Sequence, residues 1–240
     1  MDEITFHTRL HRPGTMLDAG AHHGLLTVPF AQLPGSRVIA FEPLPAAFAR
    51  LEAALRAAFG AVPPHVALHR AALGDRTGEV TLALPVVGGI ASEQWASMVK
   101  DYSAFAASGV SVQTVTAPLV RVDDLGLTDL THTKLDAEGA EYEVLRGARE
   151  TLIRCRPVMT LEVEERHREG STWAVPAYLD ALGYDVFFEV GDEWFPVSAL
   201  DRATMQRASP DPTVFAASDP YVFIFYALPR ESAASMLAQL

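Results

Sequence analysis

Short apolar runs alternate with amphipathic stretches along most of this chain, and each run predicts an element. Met16-Leu17-Asp18-Ala19 predicts a strand that runs into a glycine turn, and Arg37 to Phe41 predicts a second strand. Pro43 and Pro45 then introduce a helix, because proline suits a first helical turn. Phe48, Leu51, Leu55 and Phe59 recur at helical spacing and give that helix one apolar face. Val66 to Leu73 predicts a third strand. Thr77-Gly78 supplies a turn before Glu79 to Leu84, where Val80, Leu82 and Leu84 share a face. Regularity lapses from Pro85 to Pro118, a stretch holding Gly88-Gly89, Trp95, Tyr102 and a polar alternation from Val110 to Val115. It predicts an insertion on the rim of a sheet. Thr131 to Leu135 is a strand entering Asp136, followed by a helix over Glu138 to Ile153 with Ala140, Val144, Leu145, Ala148, Leu152 and Ile153 inward and Pro157 as its stop. Val158 to Val163 is a strand, Trp173 to Leu182 a helix ended by Gly183, and Tyr184 to Val190 and Tyr221 to Leu228 the last two strands, with a loop from Pro196 to Pro220 between them.

Strands separated by helices imply parallel neighbours, which need a crossover connection. The expected fold is therefore α/β: a Rossmann-like, doubly wound, mostly parallel sheet. The last strand pair lacks a helical pattern between its members, so an antiparallel strand is expected at the end of the sheet. The 240 residues suit one domain, 1–240, with the rim insertion at about 85–118.

Charge narrows the partners. The formal net charge of -11 repels phosphate backbones, so no nucleic-acid partner is expected. The acidic start Met1-Asp2-Glu3 does not read as a signal peptide, and the longest apolar run, Tyr221 to Leu228, is too short to span a bilayer as a helix. Cys155 is the one cysteine, which excludes an intrachain disulfide and reads as a small buried side chain. A cytoplasmic location without membrane partners is the expectation.

The candidate chemistry lies where strands end, because ligands of open α/β sheets sit beyond the carboxyl edge. Asp18-Ala19-Gly20-Ala21-His22-His23-Gly24 is such a place. Its spacing is Gly-x-x-x-Gly, not the Gly-x-Gly-x-x-Gly of dinucleotide sites, and His22 stands where a pyrophosphate needs glycine. An acid before the first glycine suits a ligand with a cationic amine, such as the methionine portion of a nucleoside. About twenty residues on, Glu42 in Phe41-Glu42-Pro43 can accept both ribose hydroxyls. In Ala71-Ala72-Leu73-Gly74-Asp75, Asp75 can accept from an adenine amino group, although Gly-Asp is also ordinary turn chemistry. Lys134-Leu135-Asp136-Ala137-Glu138-Gly139-Ala140-Glu141 brings three carboxylates and a lysine to a strand-to-helix junction. There Asp136 would face the crevice, while Glu141 reads as compensation of the helix dipole.

This ordered set, with Val122-Asp123-Asp124-Leu125 and Leu145-Arg146-Gly147-Ala148, resembles the FkbM family of methyltransferases from about Thr15 to Glu164. The resemblance implies a class I methyltransferase fold, S-adenosylmethionine as cofactor and, usually, O-methylation of a sugar or secondary metabolite. By position it places Asp18, Gly20, Glu42 and Asp75 in cofactor motifs and Asp136 near the reacting centre. His22 stands where the family commonly has asparagine. Ala21, His22, Gly24, Pro43 and Ala72 complete the expected cofactor set, and Ser97 is expected to border it.

A hydroxyl acceptor needs its proton removed, and the candidate bases are Asp136 and His167, the latter just beyond the fifth strand. A divalent metal held by Asp136, Glu138 and Glu162 is conceivable, but no spacing demands it, so no metal is expected. The expected partner is a small-molecule acceptor, chosen by Gly88 to Pro118 and the late loop. Trp95, Tyr102, Trp173 and Trp194 are candidates for stacking on it, with core packing favoured for Trp173. Two other readings are a non-catalytic S-adenosylmethionine-binding protein and, weakened by the glycine spacing, a nicotinamide-dependent oxidoreductase. The amphipathic end, Glu231 to Leu240, docks on the body, pairs with another chain or frays, and oligomeric state is not legible.

Overall fold

A computed structural model describes residues 1–87, 89–91, 96–100, 102, 111–206 and 221–240. The expected strands form an eight-stranded sheet around β1 (Gly14–Ala19), β2 (Ser36–Phe41), β3 (Val66–His69), β8 (Leu130–Leu135) and β9 (Val158–Glu162). These five are parallel, in the order β3-β2-β1-β8-β9. The chain winds outward from β1 to β3 and then returns to β8, so β1 and β8 flank the switch point where a crevice opens. Beyond β9 lie β12 (Ile224–Pro229), β10 (Tyr184–Val190) and β11 (Glu193–Pro196). The antiparallel character expected at the end of the sheet falls on two strands: β12, inserted between β9 and β10, and the edge strand β11, which turns back on β10 as a hairpin.

Alternate side chains of the strands feed opposite faces. Met16, Val38 and Ala40 face α2 (Thr27–Gln32) and α3 (Pro45–Phe59), meeting Phe30, Leu51 and Leu55. Leu17, Ala19 and Leu135 face the other way, onto Val144, Leu145, Leu152, Val175 and Leu179 of α4 (Glu141–Gly147), α5 (Arg149–Cys155) and α6 (Ser171–Ala181). A third cluster joins α1 (Glu3–Arg9) and α7 (Ala233–Leu237) to Val158, Tyr226 and Leu228, so the amphipathic C-terminal end docks on the body.

Three expectations change. The strand expected over Val66 to Leu73 is two strands. β3 stays in the main sheet, while β4 (Ala72–Leu73) pairs with β7 (Ser111–Val120). The rim insertion is accordingly built on a second sheet, β4-β7-β5-β6, with β5 (Gly78–Val87) and β6 (Ile90–Ala91). The helix expected from Glu138 begins at Glu141, because Glu138 (φ 51°) and Gly139 (φ 101°) adopt left-handed backbone, and it is interrupted at Ala148, whose backbone (φ -109°, ψ 2°) is not helical. Trp173, expected in the core, is 64% exposed on α6, with the Arg202 guanidinium 3.3 Å from its ring centroid. Cys155 is partly buried, its thiol directed to the Leu127 carbonyl.

Candidate active site

The glycine turn after β1 is held from below by Phe41, whose carbonyl accepts from both Gly20 N–H (3.0 Å) and Ala21 N–H (2.9 Å). Gly20 has φ 78°, and a Cβ there would lie 1.9 Å from the Asp136 carbonyl oxygen. No side chain fits, so the turns after β1 and β8 touch backbone to backbone. The next residue but one, His22, also has positive φ (47°). Its N–H donates to Glu42 Oε2 (2.8 Å), and Leu44 N–H donates to Glu42 Oε1 (2.9 Å). Glu42 thus ties the glycine turn to the start of α3. Burial raises its carboxyl pKa against the pull of those two hydrogen bonds.

A cavity of about 240 Å³ opens above these turns. Gly20, His22, Glu42, Pro43, Ala72 and Asp136 line it, with apolar walls that include Leu44, Leu82 and Met98. A second cavity, of about 460 Å³, shares Gly20, His22, Asp136 and Glu162 with the first and adds Asp18, Ala21 and Lys134, together with Asp2 and Glu3 from the start of the chain. Eight of the candidate residues thus line one cavity or the other: Asp18, Gly20, Ala21, His22, Glu42, Pro43, Ala72 and Asp136. Asp18 is buried, accepts from the Thr27 hydroxyl, and has one oxygen, Oδ1, without a partner among the described residues. Burial raises its pKa, opposed by Lys134.

Four of the expected residues sit apart from both linings. Gly24 packs under α3, where a Cβ would meet Leu51 at 2.9 Å. Asp75 lies 3.4 Å from Arg146, and a Cβ on Gly147 would sit 1.9 Å from the Gly74 carbonyl. The Gly74-Asp75 and Arg146-Gly147 motifs are thus two halves of one packing contact. Asp123 of the Val122–Leu125 motif accepts from Thr151 N–H (2.9 Å) and Glu150 N–H (3.2 Å) at the first turn of α5. Ser97 bridges the rim sheet to the site, donating from Oγ to the Glu138 carbonyl (2.6 Å). His167 stands behind Glu138, with Nε2 3.4 Å from Glu138 Oε2 and 3.1 Å from Glu164 Oε1.

The reacting edge is dense with ionisable groups. Lys134 donates to the Gly20 carbonyl (2.6 Å) and to Asp136 Oδ2 (3.2 Å). Burial works against its ammonium, yet Asp136, Asp18, Glu3 and Glu162 outweigh burial and hold its pKa above the usual lysine range. Burial pushes Glu138 up to about 8, against the pull of Lys100 at 2.5 Å. Burial, followed by the charges of Asp136 and Glu138, pushes Glu162 up to about 10. Glu141, expected to compensate a dipole, closes the Asp136–Ala140 turn by accepting from Ala137 N–H (2.9 Å) and Gly139 N–H (3.0 Å), and burial lifts its carboxyl to about 7. Burial and then Lys100 depress His167 to about 4, so its imidazole is neutral at neutral pH.

Sequence reasoning did not place Glu162 or Lys134 in the site set. Their signal was positional: Glu162 ends β9 as the turn of Asp136 follows β8, and Lys134 precedes that turn by two residues. Of the proposed stacking residues, Trp194 packs on Phe6 and Tyr226 in the N-terminal cluster, away from both cavities. Trp95 and Gly88 lie outside the described residues.

A parallel sheet with β12 inserted antiparallel, a glycine turn after its first strand and a buried acid after its second define a Rossmann-like methyltransferase fold. The family model for the methyltransferase FkbM domain matches residues 18–186, and the chain belongs to that family. Among solved structures, the FkbM methyltransferase of Methylobacillus flagellatus KT superposes with a TM-score of 0.55 at 16% identity, covering 94% of this chain and 50% of that protein. The chain therefore spans about half the length of that relative. A putative rRNA methylase from Clostridium thermocellum has a TM-score of 0.50 at 10% identity, covering 94% of this chain and 92% of that one. No curated protein matches the chain in sequence. Among the described residues, no helix is long and apolar enough to cross a membrane.

Proposed function

We propose that the protein is an S-adenosylmethionine-dependent methyltransferase acting on a hydroxyl group of a small molecule. The observation that carries this reading is the joining of the β1 turn to the Asp136 turn across the switch point, with Glu42 beside them. The first cavity suits the nucleoside: its apolar walls take the adenine, and Glu42 is placed for the ribose hydroxyls. The acid-lined second cavity suits the cationic methionine end. Asp18, Gly20, Ala21, His22, Pro43 and Ala72 complete the cofactor contacts. Asp75, paired with Arg146, and Gly24, packed beneath α3, support the cofactor site from behind.

Methyl transfer is an in-line displacement. The acceptor oxygen forms a bond to the methyl carbon while the carbon–sulfur bond breaks, and S-adenosylhomocysteine leaves. Alignment supplies much of the acceleration. Asp136 lines both cavities and is the base that takes the acceptor proton. Lys134 fixes that carboxylate, and His167 stands behind Glu138 as a neutral imidazole against Glu164. The fold is also that of a putative rRNA methylase, so the acceptor class rests on the chemistry of the site and on the chain's charge of -11.

Calorimetric titration with S-adenosylhomocysteine, with NAD as control, tests the cofactor. Micromolar binding of the first alone is expected, and its absence in folded protein overturns the reading. Radiolabelled methyl transfer to hydroxylated small molecules, with RNA as comparison, tests the acceptor. Label entering RNA alone would overturn the small-molecule assignment.

A further inference from the structure

Glu138, Glu162 and His167 come from the turn after β8, the end of β9 and the turn beyond it. Each offers one donor atom, and the three atoms lie within 4.8 Å of one another. We propose that these side chains form a binding site for a divalent transition-metal ion of manganese-like preference on the acceptor side of the crevice.

The donor set argues for that class. Two carboxylates and an imidazole are too rich in nitrogen for a calcium cage and lack the thiolates that draw softer ions. Three ligands about 2.1 Å from one ion stand about 3.0–3.6 Å apart, so donors within 4.8 Å of one another need to close by about an ångström, within reach of side-chain rotation. Polar groups here also lack partners. The Glu162 carboxylate lines both cavities with no hydrogen bond or ion pair among the described residues. Asp136 Oδ1 and His167 Nδ1 are buried without a partner among them.

The imidazole is held from outside, as metal-ligating histidines usually are. His167 is 7% exposed, and its Nε2 lies 3.1 Å from Glu164. Glu164 is itself fixed by both arms of Arg166 (2.5 and 2.8 Å) and by the Tyr221 hydroxyl (2.6 Å). Lys100 occupies one oxygen of Glu138 at 2.5 Å, so the ammonium and the ion compete for that carboxylate.

Only the role of the ion rests on the methyl-transfer reading. An acceptor hydroxyl on the ion gives up its proton more readily, here to Asp136, and its oxygen then takes the methyl as the carbon–sulfur bond breaks.

The test uses the full chain and Mn2+ alone, read by loss of the free-ion electron paramagnetic resonance signal. One ion per chain is expected, with a dissociation constant below about 1 mM. Glu162→Gln and His167→Gln should each weaken it by about tenfold or more. Glu143→Gln, which removes a surface pair with Arg168, should not change it. Circular dichroism establishes that each variant is folded. Absence of binding to about 1 mM, or unchanged affinity in folded Glu162→Gln, overturns the proposal. Binding is measured without cofactor or turnover, so its failure leaves the S-adenosylhomocysteine titration standing, and the converse also holds.

Discussion

At the scale of single residues, the carboxylates of this protein have separate tasks. Glu42 spends both oxygens on backbone N–H groups. Glu42→Gln would turn an NH2 group towards one of those donors, leaving it unsatisfied at a cost of about 1–3 kcal/mol. Loss of stability in urea and weaker binding of S-adenosylhomocysteine should appear together, and a stable variant that binds normally would remove Glu42 from the cofactor site. Asp136→Asn should slow turnover strongly while cofactor binding persists, measured by single-turnover transfer beside calorimetry. Glu141 gives a pH signature. Its folded carboxyl titrates near 7, above the ordinary value of 4.5, so the folded state holds the proton more tightly than the unfolded chain. That contribution is complete below about pH 4.5 and is lost as pH rises through 7. Glu141→Gln keeps one acceptor for Ala137 and Gly139, so its thermal midpoint should vary less between pH 5 and 8 than that of the parent. An unchanged slope would count against this assignment.

At the scale of elements, two motifs that read as candidate chemistry are in large part contacts between elements. Gly147 of α4 meets the Gly74 carbonyl so closely that Gly147→Ala should destabilise by roughly 2–3 kcal/mol in urea unfolding. Arg146→Ala breaks only a half-exposed pair with Asp75 and should change stability by less than about 1 kcal/mol. Equal effects would contradict the packing account. The elements differ in how far the sequence reveals them. β1, β2 and β9 are legible as short, near-continuous apolar runs, because central parallel strands are covered on both faces, and α3 because one of its faces is apolar. β7 is hard to read because its first half faces solvent on both sides and so carries polar residues. The helix expected from Glu138 overran because Glu138 and Ala140 are good helix formers, while Gly139, a poor one, is the local sign of the left-handed turn that takes residues 138 and 139 to positive φ. α1 was missed altogether. Its seven residues bury Phe6 and His7, and a buried histidine reads as polar in sequence.

At the scale of the whole molecule, that first helix closes one side of the sheet. Phe6 is fully buried against Tyr226, with ring centroids 4.8 Å apart, and His7 bonds Thr160 and His132. Phe6→Ala should therefore cost about 3–5 kcal/mol, measured by urea unfolding. A loss under about 1 kcal/mol would mean that α1 contributes little to the fold. The candidate site was partly legible. Strand-end acids and glycines mark the crevice from sequence alone, because the sheet's topology fixes where they gather. Asp75, His167 and Glu162 were less legible, since their neighbours come from distant segments: Arg146, Glu138 and the end of β8.

The rim sheet meets the rest of the domain through two ladder pairings, Ala72 with Leu119 and Leu73 with Val120, through the Ser97 hydroxyl on the Glu138 carbonyl, and through Leu82, Leu84 and Ala117 packed on Leu44 and Ala47. The turns after β1 and β8 are locked together by contrast. Such an arrangement separates what descent must conserve from what it can exchange. On the proposed reading, in which this insertion chooses the acceptor, a lineage can exchange the chain between β5 and β7 and trade one acceptor for another, provided Ser97 and Met98 keep their places at the crevice. Chimeras that borrow this segment from relatives should then inherit the donor's preference among acceptors and the recipient's affinity for S-adenosylhomocysteine.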